Sequence, residues 1–359
     1  MLDLASAAVR GTVIAANDEF FAGKENLIEP AAPSHAARTF GPHGQVYDGW
    51  ETRRRRTPGV DWAVVRLGVP GVVRRVVVDT AHFTGNFPER CAVEATAADG
   101  YPDVDELTGW TTLVPVQPLR GNEKHEFEVS DEHRWTHLRL RIFPDGGVAR
   151  LRAFGEPLPD PRELAGCPVD LVGAATGGHV TGCSDSFFAP ADNLLLPDSA
   201  AVMGDGFETR RRRQDGNDWV ELALGVPGVP YLAEVDARHF LGNAPGAVRL
   251  TALSGDGTPG RELLPEIGLQ PGTCHRFRVA AGDPVTGLRL DLLPDGGLAR
   301  FRLYGLPDAA ALDALALRYA NALPEPHATA VLGAAAAARP YETLPGPLRA
   351  ALLGATAPR

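Results

Sequence analysis

Glu51 stands in the run Asp48-Gly49-Trp50-Glu51-Thr52-Arg53-Arg54-Arg55-Arg56 and is followed at two-residue intervals by Arg53 and Arg55. On an extended segment these three project to one face and Arg54 and Arg56 to the other, so one face could offer a pocket both a carboxylate and a guanidinium. A second polar set, Asp79-Thr80-Ala81-His82-Phe83-Thr84-Gly85-Asn86, follows directly on a run of valines. There Asp79 or His82 could move protons, and Gly85 would let a ligand approach the backbone. Each group also has a plain structural role open to it. The charge run could be a solvated strand edge that discourages sheet-to-sheet pairing, which fits Arg55 and Arg56 best. Asp79 and Asn86 could stabilise turns, and His82 could be a hydrogen-bonded rim histidine.

The same residues occur twice. Asp48 to Arg56 returns as Asp205 to Arg213, at an offset of 157 that also relates Asp61-Trp62 to Asp218-Trp219, Leu67-Gly68-Val69-Pro70-Gly71 to Leu224-Gly225-Val226-Pro227-Gly228, and His82-Phe83 to His239-Phe240. Pro144-Asp145-Gly146-Gly147 pairs with Pro294-Asp295-Gly296-Gly297 at an offset of 150. Length differences of this size belong on surface loops. The period is too long for a solenoid and suits whole domains of roughly 150 residues.

Short strands must position these groups. Leu138, Leu140 and Ile142 alternate with Arg139 and Arg141, and Leu288, Leu290 and Leu292 repeat the pattern, as half-buried strands do. The 40 glycines and 31 prolines cut the chain into strand-length pieces, and helical spacing is absent before Ala309. An all-β fold of two tandem jelly-roll sandwiches follows. The first domain is expected over 1–157 and the second over 168–308, with a Pro-rich linker between them and a helical or Ala-rich tail over 309–359.

Of the 359 residues 44% are hydrophobic and 22% charged, which is the makeup of a globular chain. A formal net charge of −10 argues against nucleic acid as a partner. No apolar run reaches the roughly 20 residues of a membrane span, and the start lacks a secretory pattern, so a cytoplasmic location is expected. Cys91, Cys167, Cys183 and Cys274 have no CxxC pairing and read as reduced thiols.

The motifs DGWETRRRR, DW, LGVPG, VDTAHFTGNFP and PDGGVARLRAFG, in this order and in both copies, resemble those of the allantoicase family over residues 10–308. The resemblance implies tandem galactose-binding-like jelly rolls, hydrolysis of allantoate to ureidoglycolate and urea in purine breakdown, and a homo-oligomer. Allantoate carries a carboxylate and two ureido groups on one carbon. An arginine such as Arg53 can hold the carboxylate, Asn86, Thr84 and Asn26 can meet the ureido groups, and an acid and a base among Glu51, Asp79 and His82 can protonate departing urea and activate water. No cofactor is chemically required, although a divalent metal on Asp48, Glu51 and His82 could activate the water. Two rivals stay open: a non-catalytic ligand- or sugar-binding double sandwich, and an enzyme acting on ureidoglycolate.

Four further expectations concern structure. Arg150 should pair with a buried carboxylate of its own domain such as Asp79. Trp62 and Trp219 should anchor the core, and Phe20-Phe21 and Phe187-Phe188 should form hydrophobic opening segments of each sandwich. Thr80, Ala81, Thr84 and Phe87 become Ala237, Arg238, Leu241 and Ala244 in the second copy, so the first loop should matter more to catalysis.

Overall fold

In the computed structural model, which describes residues 1–35 and 39–354, one strand of 19 residues, Asp61–Asp79, organises the first repeat. Up to Arg66 it pairs antiparallel with Thr12–Ala16 and with His137 to Ile142 of Arg134–Phe143, whose first two residues pair beyond the crossing with Val72 and Gly71. From Gly71 onward it pairs with Arg150–Pro157 and Lys124–Glu128. The first layer continues through Arg90–Thr96 to Thr111–Pro118, and the second ends on Leu2–Asp3. The two layers of a jelly roll thus share one strand, which crosses from one to the other at Leu67-Gly68-Val69-Pro70-Gly71.

That crossing explains the repeated LGVPG motif. A methyl group at Gly68 would collide with the carbonyl of Val9, and one at Gly71 with the carbonyl of Glu156. Gly68→Ala should therefore break the crossing, because backbone cannot yield as a flexible side chain does. Leu138, Leu140 and Ile142 face the core fully buried, each contributing about 1.5–3 kcal/mol of hydrophobic stabilisation. Arg139 and Arg141 point the other way and share Glu94, at 2.7 and 3.0 Å.

The second repeat has the same plan. Its 19-residue strand Asp218–Asp236 pairs first with Val285–Leu293 and His179–Cys183, then with Arg300–Pro307 and Cys274–Arg278. Gly225 and Gly228 repeat the close approach, to Thr176 and Leu306. Helices follow at Ala309–Ala322, Glu325–Leu332 and Gly346–Leu353. The chain divides into two units, 1–158 with 319–341, and 159–318 with the described residues from 342 on. In the first, Tyr319 is buried under the Arg134 guanidinium; in the second, Arg349 meets Asp313 at 2.6 Å.

One aromatic expectation is corrected. Trp62 and Trp219 are only half-buried, Trp219 lying under Arg289, and the fully buried tryptophans are Trp50 and Trp135. Trp62 and Trp219 sit between the inward positions Asp61 and Ala63, and Asp218 and Val220, so the period of two turns them outward. The phenylalanines of the two opening segments, Phe20, Phe21, Phe187 and Phe188, are exposed.

Candidate active site at the rim of the first repeat

Three motifs far apart in sequence become one structure at the rim. The two-residue strand Trp50–Glu51 pairs with Gly147–Val148, placing Glu51 opposite Gly147. The backbone N–H of Gly147 donates to the carbonyl of Asn86 at 2.7 Å, and that of Ala149 to the carbonyl of Asp79 at 2.7 Å. The Phe83 ring, fully buried, lies where side chains on Gly49 or Gly147 would stand. The glycine of DGWE and the second glycine of PDGG therefore accompany the loop phenylalanine, because Gly49 and Gly147 make room for its ring. Phe240 does the same against Gly206 and Gly297 in the second repeat.

On this platform Asn86 Nδ2 donates to Glu51 Oε1 at 2.7 Å. Glu51 is buried, and Asn86 is the hydrogen-bond partner of its carboxylate among the described residues. Burial pushes the carboxyl above the ordinary glutamate value, and the Asn86 bond opposes this only in part. Such a group can hold a proton where an exposed glutamate has lost it. In the second repeat Asn243 meets Glu208 at 2.6 Å and also approaches the Met203 sulfur at 3.2 Å.

His82 lies on the same loop as Asn86, in the left-handed region at φ 68°. Side chains other than glycine seldom adopt this backbone, and when they do the surroundings hold them there. Its N–H donates to Asn122 Oδ1 at 2.9 Å, its ring stacks on His35 with centroids 5.3 Å apart, and its Nε2 lies 3.3 Å from the carbonyl oxygen of Pro33. A carbonyl only accepts, so in the neutral ring Nε2 carries the proton and Nδ1 keeps the basic lone pair. His239 takes the equivalent place, at φ 72° with Nε2 3.0 Å from Ala200 O.

The other candidates fall into place around this group. Thr84 is exposed on the loop between His82 and Asn86. Asp79 is buried at the start of the loop and caps its own turn, accepting from the Ala81 N–H at 2.8 Å. Asn26 Nδ2 donates to the Gly49 carbonyl at 2.9 Å and so fixes the approach to Trp50-Glu51. Arg53, 63% exposed, forks onto Asp18 at 2.6 Å through Nε and through Nη2, its guanidinium 5.2 Å over the Phe20 ring. The strand ends at Glu51, so Arg53 and Arg55 do not continue its face; Arg55 turns to Asp61 at 2.5 Å. Arg56 is exposed.

Arg150 needs a correction. It is buried, but its carboxylate partner is Asp48, at 2.7 Å, and not Asp79. Arg150 and Asp79 are neighbours across the strand ladder, while the guanidinium reaches over the carbonyls of Ala31, Asp48 and Ala149. Asp48 also accepts from Ser34 N–H and Oγ. Burial acts to raise its carboxyl, and the Ser34 N–H and Arg150 outweigh that and bring it below the ordinary aspartate value. With Asp48 so engaged, Asp48, Glu51 and His82 do not gather into a metal-binding group, and no cluster of three or more such ligands occurs among the described residues.

Sequence reasoning missed what surrounds the loop. His43 stacks on Phe20 with centroids 4.2 Å apart, Tyr47 stacks on Phe83 at 5.0 Å, and His35 on His82. All three belong to the stretch between Asn26 and Asp48, which are 22 positions apart; the matching Asn193 and Asp205 are only 12 apart. That difference in spacing was the available signal. The first repeat has extra chain next to its polar loop, and the second leaves Phe187 and Phe188 60% and 61% exposed.

Fold and site together define a duplicated jelly-roll protein whose rim loops present a carboxylate, a carboxamide and an imidazole. The profile of the allantoicase repeat matches residues 2–158 and 169–308. This chain belongs to the allantoicase family. A Nocardia farcinica protein named "Probable allantoicase" is 54% identical over 308 residues, spanning 84% of this chain and 93% of its own. One from Streptomyces coelicolor with the same name is 43% identical over 318 residues, 84% of this chain and 85% of its own. The crystal structure of allantoicase from Saccharomyces cerevisiae superposes with a TM-score of 0.72 at 32% identity, covering 85% of this chain and 92% of that one.

Proposed function

We propose that this protein hydrolyses allantoate to ureidoglycolate and urea, and that the first repeat carries the reaction. The observation that bears most weight is the buried Glu51 held by Asn86, in a chain of the allantoicase family. In the net reaction water replaces one ureido group on the central carbon. The C–N bond breaks, the departing nitrogen gains a proton to become urea, and the incoming oxygen loses one.

Glu51, its carboxyl raised by burial, gives the proton to the urea nitrogen. His82 takes the proton of water through Nδ1, the nitrogen left basic by the Pro33 contact. Asn86 offers its remaining N–H and carbonyl to the flat edge of a ureido group, and Thr84 adds a hydroxyl from the same loop. Arg53 holds the substrate carboxylate, backed by Asp18 and the Phe20 ring. Asp79 and Asn26 act one step back, Asp79 on the turn that carries His82 and Asn26 on the backbone before Glu51.

The proposal includes a homo-oligomer working in the cytoplasm with no required cofactor. Among the described residues, no helix is long and apolar enough to cross a membrane. The deciding assay offers allantoate and ureidoglycolate separately and measures urea from each. Urea from allantoate alone supports the reading; urea from ureidoglycolate alone replaces it with the neighbouring reaction, and none from either rejects it.

A further inference from the structure

The second repeat serves as an internal control for the loop of His82. Both repeats build this turn with the same backbone bonds. Thr80 N–H donates to Glu123 O at 3.0 Å, Phe83 N–H to Thr80 O at 3.0 Å, and Asn122 N–H to Phe83 O at 3.1 Å. Ala237 to Thr273, Phe240 to Ala237 and Gly272 to Phe240 match them at 2.9, 3.1 and 3.2 Å. The histidines agree too, at φ 68° and 72°.

Among the side chains that differ, two bond the backbone of this turn in the first repeat. Thr80 Oγ1 donates to Arg120 O at 2.6 Å and accepts from the Glu123 N–H at 3.1 Å. Asn122 Oδ1 accepts from the His82 N–H at 2.9 Å. Ala237 and Gly272 stand at these places in the second repeat and can do neither. Asn122 is itself left-handed at φ 57°, as Gly272 is at φ 70°, and glycine is the residue that suits such a backbone best. The first repeat gives up that ease and gains a bond to the backbone of His82.

We propose that Thr80 and Asn122 are positioning residues that hold His82 for proton transfer and are not required for the turn to fold. This rests on the role given to His82 above. The second repeat reaches the same backbone without them, so their contribution is restraint: a left-handed histidine has competing conformers, and each side-chain bond excludes some of them. Proton transfer needs heavy atoms within about 2.6–3.2 Å, and a displacement of about 1 Å can cost about 100-fold.

The test gives the first repeat the second repeat's residues. Thr80→Ala/Asn122→Gly, Asn122→Gly alone, Asn122→Asp, His82→Ala and His82→Ala/Asn122→Gly are compared for melting temperature, kcat and KM on allantoate. The expected result is near-normal melting of the Ala/Gly pair with kcat lowered about 10- to 100-fold and KM little changed. Asn122→Asp, which keeps an acceptor, should recover most of the kcat, and Asn122→Gly should add nothing once His82 is alanine. Normal kcat in Asn122→Gly and the Ala/Gly pair beside an impaired His82→Ala overturns the positioning role and leaves His82 in place. Normal kcat in His82→Ala removes the role of His82 and the positioning role with it. Loss of folding in Asn122→Gly would show a structural residue and overturn the proposal.

Discussion

Asn86 Nδ2 lies 2.7 Å from Oε1 of Glu51, joining the HFTGN loop to the DGWE strand across 35 residues of sequence. The second repeat keeps this contact between Asn243 and Glu208 at 2.6 Å. The pair alone therefore does not distinguish the repeats. The stacked rings of His35, His43 and Tyr47 and the clamps of Thr80 and Asn122 do, and they occur in the first.

This asymmetry predicts unequal responses to one substitution. Asn86→Ala should lower kcat/KM about 100-fold or more, the scale of losing a directed polar contact in a site, while Asn243→Ala should stay close to the unmodified protein. Steady-state kinetics with matched melting curves decide it. Equal losses would point to both repeats working in catalysis.

Glu51→Gln should separate activity from stability. The folded-state carboxyl value is raised, so Glu51 contributes stability below its unfolded value and loses it as pH rises through the folded value. Above the unfolded value the buried carboxyl is therefore a cost. Gln removes the ionisable group and keeps an acceptor for Asn86, so Tm near pH 7 should equal or exceed that of the unmodified protein. The gap should close as pH falls below the ordinary glutamate value of about 4.3. A fall in Tm at neutral pH would make Glu51 a structural carboxylate.

The two arginines should respond differently to lysine. Arg53 is exposed and its pair with Asp18 is worth about 0–1 kcal/mol, so Arg53→Lys should leave Tm alone and raise KM by loss of the fork. Arg150 serves Asp48 and three carbonyls while buried, and Arg150→Lys should cost about 1–3 kcal/mol of stability with KM unchanged. Because the Asp48 value is lowered, the contribution of this pair is present above the unfolded aspartate value and lost as pH falls through the folded one. The defect of Arg150→Lys should therefore shrink in acid. A stable Arg150→Lys with a raised KM would reverse the two assignments.

The fold was legible because burial enforces the period of two: Leu138, Leu140 and Ile142 announce an inner face, and the copies announce a duplication. The same period, read through Asp61, Trp62 and Ala63, would have turned Trp62 outward. The Arg150 partner was harder to read. Asp79 is its neighbour across the ladder, whereas Asp48 comes from a loop whose path only the tertiary fold sets. Asn122 was invisible for the same reason, since its bond to His82 spans 40 residues and only the comparison with Gly272 gives it meaning.

The central claim is that the first repeat hydrolyses allantoate. Its most direct test is urea released from allantoate by Glu51→Gln beside Glu208→Gln, with ureidoglycolate quantified in the same samples. The prediction is equimolar urea and ureidoglycolate at near-normal rate from Glu208→Gln, and a rate lower by about 100-fold or more from Glu51→Gln. Normal turnover by Glu51→Gln, or loss confined to Glu208→Gln, would contradict it.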